Sequence, residues 1–513
     1  MKTIKAFCWL AFFALLSVNV WAADEPSIEQ LQHQMNRGEI TSVSLVERYL
    51  DRIARHNRDG AELQAVITVQ DREKLIEIAK QLDEQRKAGQ VRSAMHGIPV
   101  LLKDNIDTAD GMPNTAGSYL LRNHMPPDNA FIVEKLREAG AIILGKANLS
   151  EWANFRSTNS SSGWSSQGGL VKNPYDQSRT ACGSSSGSAT AVSANFITVA
   201  VGTETDGSLV CPAAINGIVT IKPTVGLLSR DGIIPISASQ DTAGPMARSV
   251  ADAVHLLQAM RGVDDSDTAS YNDTTNYIKH LKTDGLKGKR IGVMRDLAGY
   301  NTELDEVFNG RIEQLKAAGA IVVDGLEFPN GRNWGGDEYT VLLYEFAHGM
   351  RDYFEQSPHP EFSSLEDLIA ANKANAGITM TWFGQELFEM SVSRQADKEA
   401  YEQAKVDAKR KAGAEGIDAV LNEHQLDLLI APTVSPAWKI DLINGDHFTG
   451  SASGAAAVAG YPHITVPMGF VQHMPVGLSF FGTARSEALL IEAAHAFEQM
   501  TQARRAPVVA SPH

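Results

Sequence analysis

Two segments, FIVEKLREAGAIILG (131–145) and RIEQLKAAGAIVVDG (311–325), repeat one pattern: apolar residues at helical spacing, then a glycine, then a short aliphatic run. The first part of each reads as a helix, the glycine as its stop and the run as a buried β-branched strand. RIGVM (290–294) is another strand of this kind. A strand that is apolar at every position has no side for water, so it belongs in a sheet covered by helices on both faces. The expected fold class is α/β. Ahead of it, Ser27 caps a helix with Ile28, Leu31 and Met35, and Thr41 or Ser42 opens one with Val46, Leu50 and Ile53.

Neither a Pro/Ser linker nor a long charge run divides the chain. Residues 23–513 therefore read as a single domain, with room for a small lobe within residues 330–425, where Trp334, Trp382 and charged helices collect. Residues 1–22 read as a signal peptide. Lys2 and Lys5 precede an apolar run from Ala6 to Leu16, and Val20-Trp21-Ala22 sets small residues where a signal peptidase cuts. An apolar stretch of about 15 residues is short of the roughly 20 that span a bilayer, so no stable membrane insertion is expected. The expected location is periplasmic or secreted.

The formal net charge is −15, and removal of two signal-peptide lysines makes the mature chain more acidic still. That balance argues against nucleic acid as a partner, because phosphate binding needs a basic surface. The mature chain keeps Cys182 and Cys211, which either join or pack as thiols. The 14 histidines are scattered and form no H-E-x-x-H, so neither a metal nor a cofactor is expected. A monomer is expected.

Three segments carry chemistry. CGSSSGSATAV (182–192) contains G-x-S-x-G, but the polar DQSRTAC before it is no strand, so a nucleophile elbow at Ser185 lacks its context. A Ser/Gly loop leading into a helix fits better. GIPVLLKDNID (97–107) ends an uncharged run in Lys103. That lysine either pairs with Asp104 or reaches solvent, or its amine is desolvated and becomes a general base near neutral pH. GTETDGSLVCPAA (202–214) sets Ser208 after a strand and behind Gly207, as an ordinary glycine turn or one whose N–H groups converge on an oxyanion.

Together GIPVLLKD, CGSSSGSA and GTETDGSLVCPA resemble the amidase signature family, whose pattern is GIP-x-x-x-K-D, GGSSGGSA and GTDTGGSIRxPA. GKANLSEWANF (145–155), DTAGPMARSV (241–250), IAPTV (430–434), AGYPHITVPMG (459–469) and MPVGLSFFG (474–482) extend the resemblance over most of the mature chain. It implies the amidase signature fold, a large mixed twisted β-sheet covered by helices on both faces. It further implies a Ser, Ser, Lys triad, with Ser208 as nucleophile, Ser184 as a bridging serine held in a cis peptide and Lys103 as base. Backbone N–H groups of Thr205, Asp206, Gly207 and Ser208 would form the oxyanion hole.

The departures from that pattern narrow the substrate. Cys182 and Ser186 replace glycines, Asp206 replaces a glycine of the oxyanion turn, and Leu209-Val210 stand where Ile-Arg is usual. The Asp206 carboxylate must then point away from the forming charge, and loss of the arginine disfavours an anionic substrate group. With SEWANFR, SRDGIIPIS, LLYEF and FGQEL, these departures resemble the peptide amidase branch, which implies hydrolysis of peptide C-terminal amides. A small aliphatic or aryl amide is the rival substrate, and an inactive secreted binding protein the rival class. Export and acidity oppose the glutaminase subunit of a tRNA-dependent amidotransferase. The acyl-binding walls are expected from Trp334 to Glu345 and Trp382 to Glu386.

Overall fold

The computed structural model describes residues 25–509, so the expected signal peptide at 1–22 lies outside the described residues. Among the described residues thirteen strands run in chain order as β1 (Val66–Val69), β2 (Pro99–Lys103), β3 (Ile142–Ala147), β4 (Trp164–Ser165), β5 (Gly169–Leu170) and β6 (Val199–Glu204). They continue as β7 (Val219–Lys222), β8 (Thr242–Ala247), β9 (Arg290–Met294), β10 (Ile321–Leu326), β11 (Leu428–Pro432), β12 (His463–Val471) and β13 (Met474–Phe481). Eleven form one sheet in the order β1-β3-β2-β6-β8-β7-β12-β13-β11-β9-β10, and β4 pairs with β5 apart from it. The sheet is mixed. β2 runs parallel to β3 and β6, β9 runs parallel to β10 and β11, and the strands between β6 and β11 pair antiparallel.

Every residue of β2, β3, β6, β8, β11 and β13 is buried. Successive side chains of a strand point to opposite faces, so complete burial means that both faces are covered. Helices Val250–Met260, Thr302–Ala317 and Glu487–Thr501 are among the elements that cover it.

Both helix–glycine–strand units form. Helix Phe131–Glu138 runs through Gly140 (φ +86°) into β3, and helix Thr302–Ala317 runs through Gly319 (φ +91°) into β10. The left-handed angle is what stops each helix and favours glycine there. The second unit departs from expectation in its strand, which is not buried: among the described residues β10 is the last strand of the sheet, paired only with β9, and Ile321 is 49% exposed. At the chain start Ser27 makes a capping box with Gln30, and Thr41 rather than Ser42 caps helix Ser42–His56.

Between β10 and β11 the chain is helical and adds no strand to the sheet. Helix Gly335–Gln356 and the helices after it bury Phe346, Met350, Phe354, Leu368 and Phe388 in a second apolar cluster with Leu121, Trp152 and Phe155. This cluster brings residues 335–394 against the loops at the end of β2, and so against the site.

Candidate active site

Among the largest side chains with no solvent exposure are three lysines, Lys103, Lys146 and Lys222. Burying an ammonium is costly without compensation, so each marks a polar interior that needs a reason. Lys103 ends β2, and its Nζ donates to Ser184 Oγ at 2.8 Å, Thr203 Oγ1 at 2.8 Å and the Thr203 carbonyl at 3.2 Å. Burial pulls its pKa down to about 7, while the nearby Asp241 and Glu204 carboxylates act in the opposite direction. It does not pair with Asp104: that carboxyl lies near Lys146 and accepts from the Thr115 hydroxyl, and burial raises it to about 7.

Ser184 follows a cis Gly183–Ser184 peptide and lies in the loop before helix Ser186–Ser193. Its carbonyl accepts the Ser150 N–H at 3.1 Å. Gly183 has no room for a side chain, because a Cβ there would overlap Ser150 Oγ. Ser185, where the elbow reading would put the nucleophile, exchanges hydrogen bonds with the Thr203 backbone: Oγ donates to the carbonyl at 3.0 Å and accepts the N–H at 3.2 Å.

Ser208 lies between β6 and helix Val210–Ile215, in a turn that passes through Gly207 at φ +77°. The Ser185 N–H donates to the Ser208 carbonyl at 3.2 Å, and Cys182 and Cys211 form a disulfide with Cα atoms 6.0 Å apart. The two serine segments are thus joined covalently and by hydrogen bonds. Glu204 Oε2 accepts the N–H groups of Leu209 at 2.7 Å and Val210 at 3.0 Å, which satisfies the start of the helix behind Ser208. The Asp206 carboxylate turns toward the start of helix Ser453–Ala459, where a Cβ on Gly454 would stand 3.7 Å from its Oδ2. Burial and the Asp206 charge raise neighbouring Glu338 to about 8.

A cavity of about 310 Å³ opens over Ser208, Gly207, Asp206, Gly183 and the disulfide. Its walls are Asn154, Phe155, Leu342, Trp438, Asp446 and Phe448. This corrects the expected walls. Of Trp334 to Glu345 only Leu342 reaches the cavity; Trp334 packs on Phe328, Trp382 is 42% exposed, and Phe383 packs against Trp164. The segment 438–453 supplies Trp438, Asp446, Phe448, Ser451 and Ser453, where the sequence predicts no wall. Its one sequence signal is a pair of aromatic residues, Trp438 and Phe448, in a loop without helical or strand periodicity. Trp438 Nε1 donates to Asp446 Oδ1 at 3.1 Å, which fixes that rim. A second cavity, of about 220 Å³, shares Ala153, Thr205 and Ile236 with the first and reaches Asn105 and Thr203 beside Lys103.

Among the described residues no three His, Cys, Asp or Glu side chains are grouped to hold a metal, and no helix is long and apolar enough to cross a membrane.

The amidase family model matches residues 44–491. The chain is 38% identical over 504 residues to a probable amidase of Arabidopsis thaliana, covering 95% of this chain and 92% of that protein. It is 33% identical over 491 residues to a glutamyl-tRNA(Gln) amidotransferase subunit from Exiguobacterium sibiricum, covering 93% and 98%. Native peptide amidase from Stenotrophomonas maltophilia superposes with a TM-score of 0.89 at 49% identity, covering 94% of this chain and 98% of that one. Fold and relatives together define a hydrolase of amide C–N bonds. The chain belongs to the amidase signature family.

Proposed function

We propose that the protein hydrolyses the C-terminal amide of peptides to the free acid and ammonia, through Lys103, Ser184 and Ser208. The observation that carries this reading is the 2.8 Å contact between Lys103 Nζ and Ser184 Oγ in a site that lowers the lysine pKa to about 7. About half of the lysine is then neutral at pH 7 and able to accept a proton. Ser208 Oγ attacks the amide carbonyl carbon while its proton passes to Ser184, whose own proton passes to Lys103. The N–H groups of Thr205, Asp206, Gly207 and Ser208 receive the oxyanion. Lys103 returns the proton through Ser184 to the departing nitrogen, and ammonia leaves. Water, deprotonated along the same path, then attacks the acyl-enzyme and releases the peptide acid and Ser208.

Two features favour a peptide over a simple amide. The cavity over Ser208 is far larger than propionamide and is walled by Phe155, Trp438 and Phe448, and the similar enzyme from Stenotrophomonas is a peptide amidase. We also propose export with loss of residues 1–22, to be tested by the N-terminal sequence of the protein recovered outside the cytoplasm. An intact Met1 there would reject it.

The test of the reaction is ammonia release from a dipeptide amide beside propionamide, with Ser208→Ala as control. Turnover of the dipeptide amide that vanishes in the variant supports the whole reading. Turnover of propionamide alone keeps the serine and overturns the substrate, and full activity in Ser208→Ala overturns the mechanism.

A further inference from the structure

The turn that carries Ser208 is gripped from outside by residues 236–241. Strands β6 and β8 are antiparallel with Glu204 opposite Thr242. One step beyond that pair Thr205 meets Asp241, and its hydroxyl donates to Asp241 Oδ1 at 2.5 Å. The other carboxylate oxygen gathers the backbone N–H groups of Ile236 at 2.8 Å and Ser237 at 2.9 Å. Gln240 holds Thr205 at a second point: its Nε2 donates to the Thr205 carbonyl at 3.3 Å and to Glu338 Oε1 at 3.0 Å.

The loop itself is anchored. Glu345, on helix Gly335–Gln356, accepts from Ser237 Oγ at 2.5 Å, Ser239 N at 2.9 Å and Ser239 Oγ at 2.6 Å, and Tyr401 donates to it at 2.7 Å. Glu338 lies on the same helix. Thr205 is therefore held by its side chain and its carbonyl, two residues before Gly207, whose lack of a side chain leaves that part of the turn the freest to move. Ile236 lines both cavities, so the wall that substrate touches is continuous with the loop that holds the turn.

We infer that Asp241 and Gln240 are positioning residues, which through Thr205 fix the direction of the backbone N–H groups of residues 205–208. This inference rests on the amide-hydrolysis reading above. Asp241 has a second relation that separates it from a purely structural residue. The carboxylates facing Lys103 are Asp241 and Glu204, whereas Asp104, the next residue along the chain, lies near Lys146. Asp241 is faced in turn by Arg230 across the second cavity. A nearby anion favours the ammonium form, so removing the Asp241 charge lets Lys103 lose its proton at lower pH.

The test uses the full chain with Thr205→Val, Gln240→Met and Asp241→Asn, and Ser208→Ala as reference. Ammonia release from a dipeptide amide is followed from pH 5 to 9, together with inhibition by a peptide aldehyde, whose adduct on Ser208 carries an oxyanion. Loss of one oxyanion donor lowers kcat by about 100- to 1,000-fold. A misdirected turn should cost less, so Thr205→Val should lower kcat about tenfold or more, leave KM nearly unchanged and weaken the aldehyde in proportion. Gln240→Met should act in the same direction. Asp241→Asn should lower kcat and also move the acid limb of the profile to lower pH, a shift that Thr205→Val should not produce. Wild-type kcat and aldehyde affinity in Thr205→Val and Gln240→Met, or an unmoved limb in a folded Asp241→Asn, would overturn the inference. If Asp241→Asn does not fold, Thr205→Val and Gln240→Met decide it alone. Retention of turnover by Ser208→Ala would instead reject the amide-hydrolysis reading, so the two failures are distinguishable.

Discussion

Replacing Lys103 by methionine should abolish activity and yet make the protein harder to unfold in mild acid. The lysine is fully buried with a pKa near 7, whereas in the unfolded chain it titrates at about 10.4. Below pH 7 both states carry the proton, and the folded state bears the whole cost of a buried ammonium, about 5 kcal/mol for a displacement of this size. Between pH 7 and about 10.4 the unfolded chain binds the additional proton, so wild-type stability climbs by about 1.4 kcal/mol per pH unit. Methionine removes that dependence, and it also removes three hydrogen bonds, to Ser184 Oγ, Thr203 Oγ1 and the Thr203 carbonyl, which cost about 1 kcal/mol each. At pH 6 the variant should thus be more stable by about 2 kcal/mol, and at pH 9 less stable by about 1 kcal/mol. Urea unfolding of both proteins at unit pH steps from 6 to 9 measures this. A stability difference that stays flat with pH would refute the argument, because it would mean that Lys103 keeps the ordinary pKa of a lysine.

Reduction of the Cys182–Cys211 bond, which closes a loop of sequence separation 29, should cost about 3–4 kcal/mol on the chain-entropy account. Because the bond also ties the Ser184 loop to the Ser208 helix, both melting temperature and ammonia release should fall in dithiothreitol; an unchanged melting temperature once both thiols are titrated would reject this. Trp438→Ala, which removes a cavity wall and the donor to Asp446, should raise KM for a dipeptide amide about tenfold with little change in kcat. An equal fall in kcat at constant KM would show that Trp438 acts on the turn and not on the substrate. Thr203→Val keeps the shape but removes an acceptor of the Lys103 amine, so kcat should fall and the acid limb should move to lower pH. Thr203→Ser should restore both, and failure of that rescue would show a packing effect.

The parts of the fold legible in the sequence are those whose cause is local. β2 and β3 read as strands because every position is apolar or small up to their polar ends, and the structure buries all of each. IVVDGL looks much the same, yet β10 is exposed, because its place at the edge of the sheet depends on which strands pair 30 to 140 residues away. The disulfide is similar. The sequence leaves Cys182 and Cys211 either joined or packed as thiols, and only the approach of two separate segments to a Cα distance of 6.0 Å makes the bond. The wall at 438–453 has neither period nor motif. It is held by single contacts, such as Trp438 to Asp446 and an isolated bridge between Val434 and Ser451, and such contacts leave no pattern along the chain.

Thr203 shows why the three motifs converge although Lys103 and Ser208 are a hundred residues apart. Strands β2 and β6 are parallel with Leu102 beside Val201, so register alone sets the Lys103 amine against the next residues, Gly202 and Thr203. The Thr203 side chain takes the lysine, while its backbone N–H and carbonyl take Ser185. One residue thus fixes both the strand that bears Lys103 and the loop that bears Ser184. Gly202 makes the approach possible: a Cβ there would stand 2.7 Å from Leu209 Cδ2, 2.8 Å from Ser185 Oγ and 2.9 Å from Met246 Sδ. A larger residue would force the turn, the loop and β8 apart together. Gly202-Thr203 is therefore the joint of the site, and it reads in the sequence only as the end of a strand, because its partners are assigned by strand pairing and not by neighbours in the chain.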